Sequence, residues 1–535
     1  MTILPTSIGS LMLLFQTTGL FNPRDLQLIA PELIITVAAC VALVMEVILP
    51  YKLGKWAAYS SLAGVAVALV SLGAQFISMG GSFHLASVPA LAPIDGFYGM
   101  VRIDGFALVF RAIFLIAAAL AIAISIRYLD IEREQHGEYY SLILFATVGM
   151  MFLGSGYDLI SLYIALELMA LTFYVLVAFT KRERRSNEAG MKYFLLGAFS
   201  SGILLYGMSV LYGVTGSTNL GEIGRNLSTT GDLRPFVLIG MVALAAGLFF
   251  KVSAVPFHMW APDAYEGAPT SVTAFLSTGS KAASFALYAR IFFVALQPMQ
   301  VDWAPLLGIV AALTIVIGNW AAITQENSKR LLAYSSISNA GYLLLGIIAN
   351  NRYGNSGLVI YLLVYTLMNM GAFGVIISLR RRGIIGDNVD DLTGLAQKAP
   401  GIAAMMAIFM LSLGGLPGTG GFIGKYFLLW GLLNRGDTDH KSWYYWLAGW
   451  AVINIVVSFY YYIRFIRVMY LSDRVADGQP LTMSPALKTA MVAALIGIII
   501  IGVYPQPFIV LAQKLIPAAA STATPALANN PAASQ

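Results

Sequence analysis

The stretch FVLIGMVALAAGLFFKVSAVPFHMWAPDAYEGAPT, residues 236–270, decides how the whole chain is read. Lys251 stands deep in its apolar half, in a run approaching the about 20 residues that a bilayer-spanning helix needs. A cation in hydrocarbon is costly, roughly 2.5 kcal/mol or more, and by default marks an ion or proton path. Pro256 follows five residues on, then His258, Asp263 and Glu266, and then a second apolar run carrying Lys281. Proline frees backbone groups, which a membrane tolerates only where the segment is buried in protein or lines a wet cavity.

The rest of the chain repeats this pattern. Of 535 residues, 58% are hydrophobic and only 11% charged, against about 25% charged in ordinary soluble domains. Such a composition excludes a soluble core and identifies an all-α polytopic membrane protein embedded in the lipid bilayer. The net charge of +6 then reflects membrane-flanking loops, and nucleic-acid binding is not expected. One cysteine, Cys40, leaves no CxxC pair, no disulfide and no cysteine-held cluster within the chain. His84, His136, His258 and His440 lack metal-site spacing. No cofactor is expected. The first residues lack a basic region and a clear cleavage site, making a poor signal peptide.

Fourteen spans are predicted, at 26–49, 55–79, 103–127, 138–154, 157–180, 188–215, 234–265, 269–296, 303–324, 328–350, 356–380, 400–434, 442–471 and 485–512. The tail from Ala518 has the composition of a disordered segment. Lysines and arginines in loops after odd-numbered spans outnumber those after even-numbered spans eighteen to six, with KRERR at 181–185 the densest cluster. The positive-inside bias places those loops in the cytoplasm and both termini in the periplasm. The seventh and twelfth spans are interrupted, at Pro256 and in LSLGGLPGTGGFIGKYFLL around Pro417. Interrupted helices at corresponding positions of two halves point to an inverted-repeat transporter. The boundaries are three N-terminal helices (1–137), a five-helix repeat (138–296), a second, inverted five-helix repeat (302–471) and a C-terminal helix (485–517). The glycine-rich stretch near Pro417 has neither GxGxxG nor GxxxxGK[ST], so nucleotide binding is excluded.

Several ionisable residues stand inside spans. Glu167 cannot reach water by length, so it is either half of a static ion pair or a carboxylate whose charge tunes a nearby lysine. Lys281 lies mid-span among Ser280, Ala282, Ala283 and Ser284, which suits a hydrated interior as well as a structural pair. Lys251 and Lys425 sit beside the helix breaks and are candidates for a proton path. Lys192 is nearer a span end, where its stem can snorkel to the interface. Arg111 reads better as a structural lock. His258, between Lys251 and Lys281 in sequence, is a satisfied polar residue or a relay. Asp263 and Glu266 read as interfacial structure.

LELMALTFYVLVAF at 166–179, AGMKYFLLGAFSSGILLYG at 189–207, KVSAVPFHMWAPDAYEGAPT at 251–270, KRLLAYSSISNAGY at 329–342 and GLPGTGGFIGKYFLL at 415–429 resemble the antiporter-like membrane subunits of respiratory complex I, NADH-quinone oxidoreductase, and most closely the subunit N (subunit 2) family. The resemblance covers about residues 26–510. It implies fourteen helices with two inverted five-helix repeats and broken helices 7 and 12. It also implies a proton-translocating role in a bacterial inner membrane, driven by NADH oxidation and quinone reduction in other subunits. By motif, Glu167, Lys192, Lys251, Lys281 and Lys425 fall on the family's functional positions. The partners implied are a neighbouring antiporter-like subunit and a small acidic membrane subunit. The chain departs from the pattern at Asn339, where many relatives carry histidine, and in the eleventh span, which has no charge at mid-depth, leaving Tyr365 and Asn369 to order water. A subunit of a multisubunit sodium/proton antiporter shares these motifs and is the alternative; a purely structural spacer is a third reading.

Overall fold

The computed structural model describes residues 22–48, 54–81, 91–132, 134, 136–228, 231–380, 387–472 and 483–515, the side chain of Asp232 excepted. The tail beyond Ala518 lies outside the described residues. The long helices are α1 (Ala30–Ile48), α2 (Lys55–Ser78), α3 (Gly105–Glu132), α4 (His136–Ser155), α5 (Leu159–Val177), α6 (Arg184–Thr215) and α7 (Arg234–Val252). After the short α8 (Trp260–Gly267) comes α9, which begins as Thr270–Phe275, passes through a π turn at Leu276–Ser280, continues as Lys281–Arg290 and ends in a second π turn, Ile291–Ala295. Then follow α10 (Gln300–Ile323), α11 (Ser328–Ala349), α12 (Arg352–Leu379), α13 (Pro400–Gly414), α14 (Gly420–Asp439), α15 (Trp443–Tyr470), α16 (Pro485–Val503) and α17 (Gln506–Leu515).

Among the described residues, twelve helices are long and apolar enough to cross a membrane. The other two expected spans are the ones whose helices are interrupted, α9 by its π turns and the α13–α14 pair by a break. The seventh expected span, drawn to 265, ends as a helix at Val252, because Ser253 adopts a left-handed conformation and Pro256 cannot continue the ladder. The fourteenth, drawn to 512, stops at Val503, two residues before Pro505, which opens the short α17. The sequence reading did not anticipate the small antiparallel hairpin Ile94–Gly96/Val101–Ile103, held by Arg102 on Asp95 at 2.6 and 2.7 Å.

Burial is graded across the bundle. In α11 and α12, 94% of the spanning window is buried, against 28% in α1 and 22% in α2. The central pair can lie inside because its sequence is small and polar where helices must approach closely. A Cβ on Gly341 would lie 3.0 Å from the Ala311 backbone oxygen, and one on Gly357 would lie 2.7 Å from the Leu428 nitrogen. Small residues replace hydrophobic drive as the basis of helix contact in a membrane.

Two backbone bridges share one design. Leu159 N–H donates to Thr218 O and Leu220 N–H to Tyr157 O, at 2.9 and 3.0 Å; Ser328 N–H donates to Asp387 O and Val389 N–H to Glu326 O, at 2.6 and 3.0 Å. Each joins the N-cap of a spanning helix (Asp158, Asn327) to the N-cap of a short helix reached after the following span (Asn219, Asn388). The chain length between the two caps is the same in both cases.

At the periphery, Arg111 of α3 is fully buried and meets Glu32 of α1 at 2.5 Å, with Gln75 of α2 and the Leu28 carbonyl each at 3.3 Å. This is the lock expected of it, and it ties the three N-terminal helices together. Removing one partner of a buried pair costs about 3–5 kcal/mol, whereas replacing both with apolar residues is often neutral. Arg111→Met is therefore expected to lower the thermal unfolding midpoint sharply, and Glu32→Leu/Arg111→Met to recover most of the loss. Equal midpoints for the single and double variants would contradict the lock.

Candidate functional site

Lys251 occupies the last turn of α7, where carbonyls run out of partners. The break that follows is satisfied piecemeal. Trp260 Nε1 donates to Phe250 O at 2.9 Å, Ala254 N to Phe249 O at 2.8 Å and Val255 N to Thr314 Oγ1 at 3.0 Å. Lys251 itself is 6% exposed, and its ammonium donates to Ser201 Oγ on α6 at 3.3 Å. Tyr193 stacks on Trp260 with ring centroids 4.4 Å apart and meets Tyr174 edge-on at 4.7 Å, walling this side of the site.

Glu167 of α5 is half-buried, and its Oε1 has no hydrogen-bond partner among the described residues. Its charge acts on Lys251 and on Tyr174, but the lysine's hydrogen bond goes to Ser201. The structure therefore brings the expected carboxylate and lysine into electrostatic reach and leaves them unpaired.

Lys281, 2% exposed, emerges directly from the first π turn of α9. Such turns inside α-helices recur at functional sites. Its ammonium donates to Ser336 O at 2.6 Å and also to Ser336 Oγ. Lys425, 4% exposed, sits on α14 but reaches back across the break to the end of α13, donating to Leu413 O at 2.7 Å and Gly414 O at 3.3 Å. It lies 5.0 Å from the Tyr342 ring centroid. Gly415 makes this possible: its φ is +92°, and a Cβ there would lie 3.3 Å from Lys425 Cδ.

Two expected residues are placed elsewhere. Lys192 is 46% exposed and pairs with Glu188 at 2.9 Å and Asp263 at 3.0 Å. Arg330 bonds the same Asp263 at 3.0 Å and Glu266 at 2.8 Å. This charged cluster ties α6, α8 and α11 together beside a cavity of about 240 Å³, which matches the interfacial reading of Asp263 and Glu266. His258 is half-buried in the turn between exposed Phe257 and Met259, and its Nδ1 has no partner among the described residues. It contacts neither lysine through a hydrogen bond.

Sequence reasoning missed the polar cluster between Lys281 and Lys425. Asn339 donates to Ser335 O at 2.9 Å and to the Tyr462 hydroxyl at 3.3 Å, and its Oδ1 accepts from Tyr361 at 2.6 Å. Asn369 Nδ2 donates to Tyr365 O of its own helix at 3.2 Å. The missed signal was the density of hydroxyls in YSSISN (334–339) and FYYY (459–462), which are polar side chains in spans otherwise apolar.

Fold and site define an antiporter-like membrane subunit. The family described as NADH:quinone oxidoreductase/Mrp antiporter, transmembrane, matches residues 156–449. The chain is 52% identical over 420 residues to NADH-quinone oxidoreductase subunit N 2 of Solibacter usitatus, covering 78% of this chain and 84% of that one. It is 47% identical over 498 residues to subunit N 1 of Koribacter versatilis, covering 92% and 95%. Among solved structures it is similar to a chain of respiratory complex I from Thermus thermophilus with bound aureothin, with TM-score 0.74, 32% identity and coverage of 90% and 99%. It also shares its fold with a chain of the Mrp complex from Dietzia sp., with TM-score 0.75, 20% identity and coverage of 91% and 96%. The chain belongs to the subunit N family of NADH-quinone oxidoreductase, a translocating oxidoreductase. It partners other membrane subunits.

The geometry at the second break gives a direct test. Alanine at Gly415 would be forced into a left-handed conformation costing about 1–2 kcal/mol while pressing on Lys425. Gly415→Ala is expected to lower the unfolding midpoint. Gly449→Ala, on the exposed face of α15 with nothing within 4 Å, should leave it unchanged or raise it, because alanine favours helix by up to about 1 kcal/mol.

Proposed function

We propose that this subunit conducts protons through Lys251, Lys281 and Lys425, driven by quinone reduction in neighbouring subunits that bind NADH and quinone. The observation that carries this reading is the setting of the three lysines. Each is almost wholly buried, each stands at a helix break or π turn, and among the described residues each ammonium is hydrogen-bonded only to neutral oxygens. A structural cation in an apolar interior needs a counter-ion, and a buried lysine without one is relieved by releasing its proton. Glu167 supplies the adjustable charge. When a neighbouring subunit brings it toward Lys251 the proton is held; when the two part, the lysine falls back on Ser201 and the proton moves on. Lys192 and His258 belong to this scheme less directly, as an ion-paired cation on the outer face of α6 and as a polar group in the first break.

The two backbone bridges support an inverted pair of five-helix repeats, about 138–296 and 302–471, following three N-terminal helices and preceding a C-terminal one. An odd number of spans per unit gives the copies opposite orientation, with the KRERR loop (181–185) in the cytoplasm and both termini in the periplasm of a bacterial inner membrane. Exposed apolar residues on α1, α2, α6, α7 and α15, such as Val70, Phe199 and Trp446, suit lipid and two neighbours, another antiporter-like subunit and a small acidic membrane subunit. The sodium/proton antiporter alternative has a fold-level likeness behind it, whereas the oxidoreductase reading has relatives of 40–52% identity.

Guanidinium keeps its proton. Lys251→Arg and Lys251→Ala are both expected to lower the number of protons moved per NADH oxidised by the assembled oxidoreductase in sealed vesicles. An unchanged ratio in both would sink the proposal.

A further inference from the structure

Among the described residues, the polar cluster that separates Lys281 from Lys425 contains no carboxylate, imidazole or further ammonium. On the repeat reading, the equal spacing of the two bridges says what stands there instead. Glu167 is the ninth residue after the Asp158 cap, and Ser336 is the ninth after the Asn327 cap. Lys192 precedes the Asn219 cap by the same interval that separates Tyr361 from Asn388. The charged positions of the first half are thus occupied by hydroxyls in the second.

Those hydroxyls are assembled and buried. Ser336 accepts from Lys281 and lies 3.4 Å from the Tyr265 hydroxyl. The Tyr365 hydroxyl is buried close to Ser336, Tyr265 and Tyr462 but in no well-formed hydrogen bond. Next come Ser335 and Tyr462, whose hydroxyls meet at 2.5 Å, and then Tyr361, with Asn339 touching both tyrosines. The base of Tyr361 packs against Gly424, the residue before Lys425: a Cβ on Gly424 would lie 2.5 Å from Tyr361 Cδ2 and 2.7 Å from its Cβ, so the last step to the ammonium is completed by water. The Tyr342 ring lies under the Lys425 ammonium on the same side. A buried hydroxyl is at once donor and acceptor and takes up no net charge in passing a proton on.

We propose that Ser336, Tyr365, Tyr462 and Tyr361 form an uncharged hydroxyl bridge that carries protons from Lys281 to Lys425. One proton leaves Lys281, which becomes a neutral amine. Each hydroxyl accepts a proton on one side and gives up its own on the other, and one proton arrives on neutral Lys425. No electrons move. The Tyr365 and Ser338 hydroxyls have no hydrogen-bond partner among the described residues, and a water bonded to them would complete the chain. Asn339 accepts from Tyr361 and donates to Tyr462 but cannot relay a proton; it is a positioning residue, and a water beside it carries the proton between the two hydroxyls it holds.

The proposal rests on the lysine path above, and its test separates the two. In the assembled oxidoreductase in sealed vesicles, protons moved per NADH oxidised are compared for Lys251→Ala, Tyr361→Phe/Tyr462→Phe, Ser336→Ala, Ser336→Thr and Asn339→Leu. The bridge predicts that the double tyrosine variant, Ser336→Ala and Asn339→Leu all fall to the Lys251→Ala ratio with NADH oxidation continuing, while Ser336→Thr, which keeps the hydroxyl, stays at the wild-type ratio. Reading the ratio separates a lost relay from lost assembly. Should the tyrosine variant fail to assemble, the Ser336→Ala and Ser336→Thr pair decides. A wild-type ratio in the hydroxyl-deleted variants, with a lowered ratio in Lys251→Ala, overturns the bridge and leaves the lysine path standing. A wild-type ratio in Lys251→Ala overturns both.

Discussion

A helix cannot stop inside a membrane unless the carbonyls it frees find donors, and this requirement organises the site. At the end of α13 the donor is Lys425, which bonds Leu413 and Gly414 from the far side of the break. At the end of α7 the donor is the Trp260 indole, which leaves Lys251 free to turn to Ser201. Backbone relief and buried charge are therefore two sides of one arrangement. At the second break the helix end supplies the oxygens where the Lys425 ammonium sits, and the ammonium offsets the cost of the break.

The rest of the bundle keeps these places rigid and central. Close contacts through Gly341, Gly357 and Gly424 let α11 and α12 sit nearly enclosed between the two broken segments. Charged groups used for structure are kept toward the ends or the rim. Arg111 is locked on Glu32, Arg290 on Asp104 at 2.7 Å, and Lys192 and Arg330 on a shared Asp263. The ion-paired residues thus differ in setting from Lys251, Lys281 and Lys425, which have no ion pair among the described residues.

Much of the site was legible because a charge in an apolar run is conspicuous. Lys251, Lys281, Lys425 and Glu167 stood out against their neighbours, and the two breaks were visible as proline and glycine. Lys192 and His258 were conspicuous too, but prominence in a sequence does not fix direction. One lies on the outer surface of α6 and the other in a turn flanked by exposed side chains. The hydroxyl cluster was invisible for the opposite reason. Serine and tyrosine are unremarkable in a membrane helix, and Ser335, Tyr361 and Tyr462 matter only because three separate helices bring them together.

By itself, the sequence determined the class, the helical architecture, the positions of both breaks and which charges are buried. These follow from hydrophobic run length and from the backbone chemistry of proline and glycine, which act locally. Only the tertiary structure decided the partners: that Lys251 leans on Ser201 and not on Glu167, that Lys281 takes Ser336, and that Lys425 crosses its own break. Partner choice depends on which helix faces meet and at what height, and that is settled by packing between segments far apart in the chain.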